Sequence, residues 1–202
     1  MTIARFAAAV LLAAGAWTAP AAAAPIAAVG TTDVTVSDTV LGFLDENGIA
    51  PSAIDPAGLS GATFSFPITG GETETLTITH SGGVSLSAGT AVLNAENFTI
   101  KGNELTVAAD VSGTAFPTAL EQVDIFGLTA VDLSGPITAD LVINETLNFA
   151  LGATFADGAD LQLTDVVFGT ASTSPQPVPL PAAAPLLLAG LAGFALLRRR
   201  AT

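Results

Sequence analysis

The sequence predicts a mainly β domain, an antiparallel sandwich or barrel with one or two short helices, set between two apolar terminal segments. Three observations predict it. Apolar and polar residues alternate with period two along much of 62–168, glycine-rich turns separate the alternating runs, and only two windows begin with a helix-capping residue.

The elements follow in chain order. Residues 1–23 carry Arg5, an apolar run and then Ala21, Ala22 and Ala23, the pattern of a signal peptide cut by signal peptidase after Ala23 or Ala24. The domain proper is expected over 33–171. Ser37 caps a helix over 38–47 whose stripe is Val40, Leu41, Phe43 and Leu44, and Gly48 stops it. Strands follow on Ala62, Phe64 and Phe66, on Leu76, Ile78 and His80, on Val84 and Leu86, on Phe98 and Ile100, and on Leu105, Val107, Ala109 and Val111. Gly70-Gly71, Gly82-Gly83 and Lys101-Gly102-Asn103-Glu104 are the turns, the last of them a tight hairpin. The pattern resumes with Val123 and Ile125, Val131 and Leu133, and Ile137, Ala139, Leu141 and Ile143, and closes over 161–168. Asn144 caps a second short helix through Leu147 and Leu151, ended by Gly152. Residues 172–177, rich in Ser, Thr and Pro, read as a linker.

Residues 178–202 run VPLPA, then an apolar stretch, then Arg198, Arg199 and Arg200. An uncharged segment of that length is expected to cross the inner membrane as a single helix, with the arginines holding its end in the cytoplasm. The domain is therefore expected outside the cytoplasm.

Composition narrows the function. Between the terminal segments Lys101 stands against all 18 Asp and Glu residues, a formal charge of −17. Such a surface repels nucleic acid, so no nucleic-acid partner is expected. With no Cys there is no disulfide and no thiolate metal site. With no Tyr, and with Trp17 in the signal segment, the exported protein is expected to absorb almost nothing at 280 nm and to lack the usual aromatic platform for sugars.

Candidate chemistry is sparse. His80 is the sole histidine, shares its parity with Leu76 and Ile78, and reads as a structural side chain at a strand end; it is the one candidate for a ligand site. No GxSxG elbow accompanies it, no catalytic residue is assigned, and the protein is expected not to be an enzyme. Glu72 and Glu74 share one parity but read as solvated decoration. No metal site is assigned. Calcium, were it bound, would use Asp45 in Asp45-Glu46-Asn47-Gly48 or Asp157 and Asp160 in Asp157-Gly158-Ala159-Asp160, where carboxylates flank a glycine turn.

Two resemblances add to this. Val178, Pro179, Leu180, Pro181 and Ala182, followed by the apolar stretch and Arg198, Arg199 and Arg200, resemble the tripartite VPLPA-type tail of PEP-CTERM proteins. That likeness implies a bacterial protein processed by an exosortase and displayed or released at the cell surface, often alongside exopolysaccharide. FPITGG at 66–71, THSGGVSL at 79–86 and NFTI at 97–100 are similar, more distantly, to the HtaA-type extracellular β-domain. Haem-binding members of that family hold iron through tyrosine supported by histidine, so the likeness implies a fold here without a ready haem site. The expected function is a non-enzymatic surface or matrix protein associated with adhesion or exopolysaccharide. The alternative is a membrane-anchored module binding a small ligand or a metal, calcium before haem.

Overall fold

Side chains that alternate between a buried and a solvated face form most of the described elements as strands. The computed structural model describes residues 28–72, 75–174 and 176–177. In order these form β1 (Ala28–Val29), β2 (Thr31–Val36), α1 (Asp38–Glu46), β3 (Ala50–Ile54), β4 (Gly58–Ser60), β5 (Thr63–Glu72), β6 (Thr77–His80), β7 (Gly83–Ala88) and β8 (Ala91–Lys101). They continue as β9 (Thr106–Gly113), β10 (Phe116–Asp132), β11 (Ile137–Ile143), α2 (Glu145–Phe155), β12 (Val167–Thr173) and β13 (Gln176–Pro177).

The outcome is a barrel rather than a sandwich. Eight antiparallel strands follow one another around it as β8, β6, β5, β2, β12, β11, β10 and β9, and β9 pairs back onto β8 to close the ring. Closure leaves no open edge on these strands. β7 and β3 extend the sheet from β8, and β4 adds to β5. Phe64, Val111, Ile125 and Ile143 are fully enclosed in the core, and Phe66 meets Phe98 edge-on at 4.9 Å between centroids.

Both helices sit at the end where β2 and β11 finish. The Ser37 hydroxyl accepts from the Val40 amide at 3.3 Å and donates to the Val167 carbonyl at 2.7 Å, so the cap of α1 also ties it to β12. Gly48 has φ +62°, the left-handed exit expected of a helix stop. In α2 the Asn144 side chain accepts from Leu147 N at 3.0 Å and donates to Asp124 O at 2.7 Å. Gly152 does not end this helix, which runs on to Phe155. A Cβ there would stand 2.2 Å from the Ala159 carbonyl, so the glycine serves a close backbone approach.

Three expectations are corrected. Residues 161–166 are not strand. Leu163 is buried and Leu161 and Val166 pack on the core, but Gln162 and Asp165 have φ of +54° and +67°, so apolar spacing there marks a packed loop. Paired structure also runs past Ala171 into the expected linker: Ser172 and Thr173 belong to β12, and Gln176 and Pro177 pair with Val29 and Ala28. Leu76 and Leu105 are turn residues, 54% and 51% exposed, because each sits at positive φ and so leaves the strand's alternation.

Among the described residues no helix is long and apolar enough to cross a membrane. The signal segment with Ala23 and Ala24, and the tail with Val178 to Ala182 and Arg198, Arg199 and Arg200, lie outside the described residues.

Candidate functional site

The barrel end opposite the helices carries a cleft of about 480 Å³. Its walls come from strands that outrun their neighbours. β10 continues past the first residue of β9 as far as Asp132, carrying Leu128 and Val131 with it, and a register shift between Thr129 and Asp132 places Ala130 at φ +50°. Across the opening, Gly102 N donates to Leu76 O at 3.0 Å and Leu128 N donates to Leu105 O at 2.7 Å, so the two turns are stitched to the walls.

Side chains on these connections point out of the fold. Leu76, Leu105, Val131 and Leu133 are 54%, 51%, 41% and 68% exposed, and all four line the cleft. Leu76 and Leu105 hold φ of +49° and +55°, a conformation that leucine rarely adopts. Ile78, Ile100 and Ile137 form deeper walls, while Glu72 and Thr173 supply polar groups. Glu74 lies outside the described residues. Nearby, Lys101 Nζ sits 2.8 Å from Asp124 Oδ1 and 3.7 Å from Glu104 Oε2. The hydrogen bond that the ammonium donates to Asp124 is the main reason its pKa is raised.

Further inside lies a cavity of about 80 Å³, which shares Ile100 and Ala171 with the cleft and is lined by His80 and Thr32. His80 is 5% exposed. Its Nδ1 lies 3.1 Å from the Phe98 carbonyl and its Nε2 2.7 Å from Thr32 Oγ1, while a further 2.8 Å bond joins Thr32 Oγ1 to Thr173 Oγ1. A carbonyl only accepts, so Nδ1 carries a proton and donates it to Phe98 O, while the Thr32 hydroxyl donates its own proton to Thr173 Oγ1. Burial lowers the imidazole pKa more than the Phe98 bond raises it, which favours the neutral ring. His80 thus sits in the barrel interior with both ring nitrogens engaged, linked through two threonines to the cleft wall.

The acidic candidates lie elsewhere. Asp45 is in the last turn of α1, and its carbonyl accepts from Gly48 N. Asp157 occupies a turn at φ +50°. Asp160 accepts from Asn148 Nδ2 at 2.8 Å, Gln162 N at 2.8 Å and Gln162 Nε2 at 2.5 Å, bonds that lower its pKa and anchor the loop after α2. Among the described residues no three His, Cys, Asp or Glu side chains gather. Sequence reasoning missed a different carboxylate, Asp110. It accepts from Asn97 Nδ2, Gln122 N and Gln122 Nε2 and so fastens the register shifts of β8 and β10 to β9. It also missed the exposed leucines, for which the available signal was their place beside turns, at Gly102-Asn103-Glu104-Leu105 above all.

No protein-family model matches the sequence, and no curated protein matches it. Solved structures do. The haem-binding protein HtaB from Corynebacterium glutamicum matches at 16% identity and a TM-score of 0.57, over 75% of this chain and 95% of that one. The C-terminal domain of HtaA from the same organism matches at 14% identity and a TM-score of 0.50, over 72% and 95%. At these identities the likeness establishes a shared fold, the HtaA-type β-barrel that the motifs at 66–71, 79–86 and 97–100 resemble.

Proposed function

We propose that this chain is an exported, non-enzymatic binding module that holds a small apolar ligand in the open-end cleft. The observation that carries this reading is the cleft itself. In a domain of charge −17, four exposed apolar side chains surround a concavity of about 480 Å³, which falls within the usual size of small-molecule sites. A surface serving only solubility would place charge there.

The haem-binding neighbour suggests haem as that ligand, but the residues here do not fit an iron site. The chain has no Tyr and no Cys, and His80 does not line the cleft and has both nitrogens engaged. The proposed ligand is held by apolar contact, without coordination to a metal. Delivery is assigned to the terminal segments: signal peptidase releases the chain after Ala23 or Ala24, and an exosortase acts at Val178 to Ala182.

Fluorescence titration of the full chain with N-phenyl-1-naphthylamine tests the binding half. Saturable enhancement that Leu105→Glu and Leu133→Glu abolish is the expected result. Enhancement indifferent to both substitutions would move the site elsewhere, and a coordinated-haem absorption band lost in His80→Ala would overturn the uncoordinated reading. For the sorting half, peptide mapping of protein from the native envelope should find chains ending within 178–182. Chains that all retain Arg198, Arg199 and Arg200 would refute it.

A further inference from the structure

We infer that, while the tail is still in the bilayer and before the exosortase cuts it, the open end of the barrel faces that bilayer and the cleft takes a lipid acyl chain. This rests on reading the cleft as a ligand site and 178–202 as a membrane segment. Three features of the fold converge on it.

The first is where the chain leaves. β12 runs toward the open end, and β13 pairs there with β1, Val29 against Gln176 and Ala28 against Pro177. Four residues, 178–181, separate Pro177 from the apolar run that begins at Ala182, so the five steps between them span at most about 18 Å when fully extended. The helix-capped end lies farther by roughly a strand length, about 23 Å for a strand like the seven-residue β11. A bilayer that holds the tail therefore meets the open end first.

The second is what that end presents. Leu76, Leu105 and Leu133 come from three separate connections, β5 to β6, β8 to β9 and β10 to β11, and are the exposed leucines of this rim. Two of the three stay exposed in a backbone conformation that disfavours leucine, which marks a position held for its side chain rather than for turn formation.

The third is charge. Glu72, Glu104 and Asp132 lie around the same opening, and Lys101 already pairs with Asp124 and Glu104. Anionic headgroups are repelled at such a rim, so the lipid is a zwitterionic one whose tails, not headgroup, make the contact.

The chain's composition supplies the experiment. A full chain carrying Trp17→Phe and Leu133→Trp has a single indole and no Tyr. It is reconstituted in phosphatidylcholine vesicles whose acyl chains are brominated, beside a partner chain with Trp17→Phe and Phe149→Trp, which places the indole on α2 at the far end. Quenching at 133 severalfold stronger than at 149 is the expected result. Equal quenching at the two positions, or none at 133, overturns the inference. Naphthylamine binding by the same proteins separates the two readings. Dye bound without quenching at 133 leaves the binding module standing and removes the lipid, whereas loss of dye binding with the fold intact removes the cleft and the inference together.

Discussion

The two ends of the barrel use leucine in opposite ways. At the helix end Leu147 and Leu151 are 6% and 5% exposed, whereas at the open end Leu76, Leu105 and Leu133 are 54%, 51% and 68% exposed. The difference is cover. α2 lays an apolar face over one mouth of the barrel, while short turns span the other and leave its apolar side chains to water. Burial at the first end stabilises the fold; exposure at the second adds nothing to the fold and is available to a ligand.

The largest expected effect breaks the closed end. Leu151→Ala should cost about 2–5 kcal/mol of stability by denaturant unfolding, through lost burial and the cavity left behind. A cost below about 1 kcal/mol would mean that α2 is not the cover described here. Next is the polar seam between the ends. His80→Ala removes the side-chain partner of the Phe98 carbonyl and one of the two partners of the Thr32 hydroxyl, and should cost about 1–3 kcal/mol.

The same residue predicts a pH dependence. Its folded pKa is lowered below the ordinary value of 6.5, so between the folded and unfolded pKa values the unfolded chain binds more protons. Its contribution is present above about pH 6.5 and falls as the pH drops toward the folded pKa. Melting temperature followed from pH 8 to 5 should show this decline in the parent chain and not in His80→Gln. An identical decline in both would place its cause elsewhere.

Smaller effects sharpen the contrast. Ser37→Ala removes the cap of α1 and its bond to Val167 and should cost about 1 kcal/mol. At the open end the sign reverses. Leu105→Gly relieves a left-handed leucine at φ +55° and should leave stability unchanged or raised by about 1 kcal/mol, while weakening dye binding. Leu133→Ser should shift stability by less than about 0.5 kcal/mol and also weaken binding. If either substitution destabilised as much as Leu151→Ala, the open end would be part of the folded core.

Local signals were legible where the chemistry was local. Ser37 and Asn144 cap their helices because a side-chain oxygen satisfies an amide three residues on, and Lys101-Gly102-Asn103-Glu104 turns because its residues favour a turn. Alternation failed at 161–166 because apolar spacing reports burial, and a loop beneath a helix can be as buried as a strand. It failed again at Leu76 and Leu105, where one left-handed residue at each position turns the side chain out of the pattern. The Asp110 cluster was invisible because its partners Asn97 and Gln122 are brought together by pairing across three strands.

By itself, the sequence determined the β class, both helix starts, the turn at 101–104, the acidic surface and the absence of cysteine and tyrosine chemistry. These are set by composition and by contacts a few residues apart. The tertiary structure decided between sandwich and barrel, placed His80 between Thr32 and Phe98, and left one mouth open and apolar while covering the other. Those outcomes depend on β6 meeting β8 and on β12 meeting β2, whose paired residues stand as far apart as Thr32 and Thr173. No local pattern carries the register of such pairs, because it is chosen by the core that all eight strands bury together.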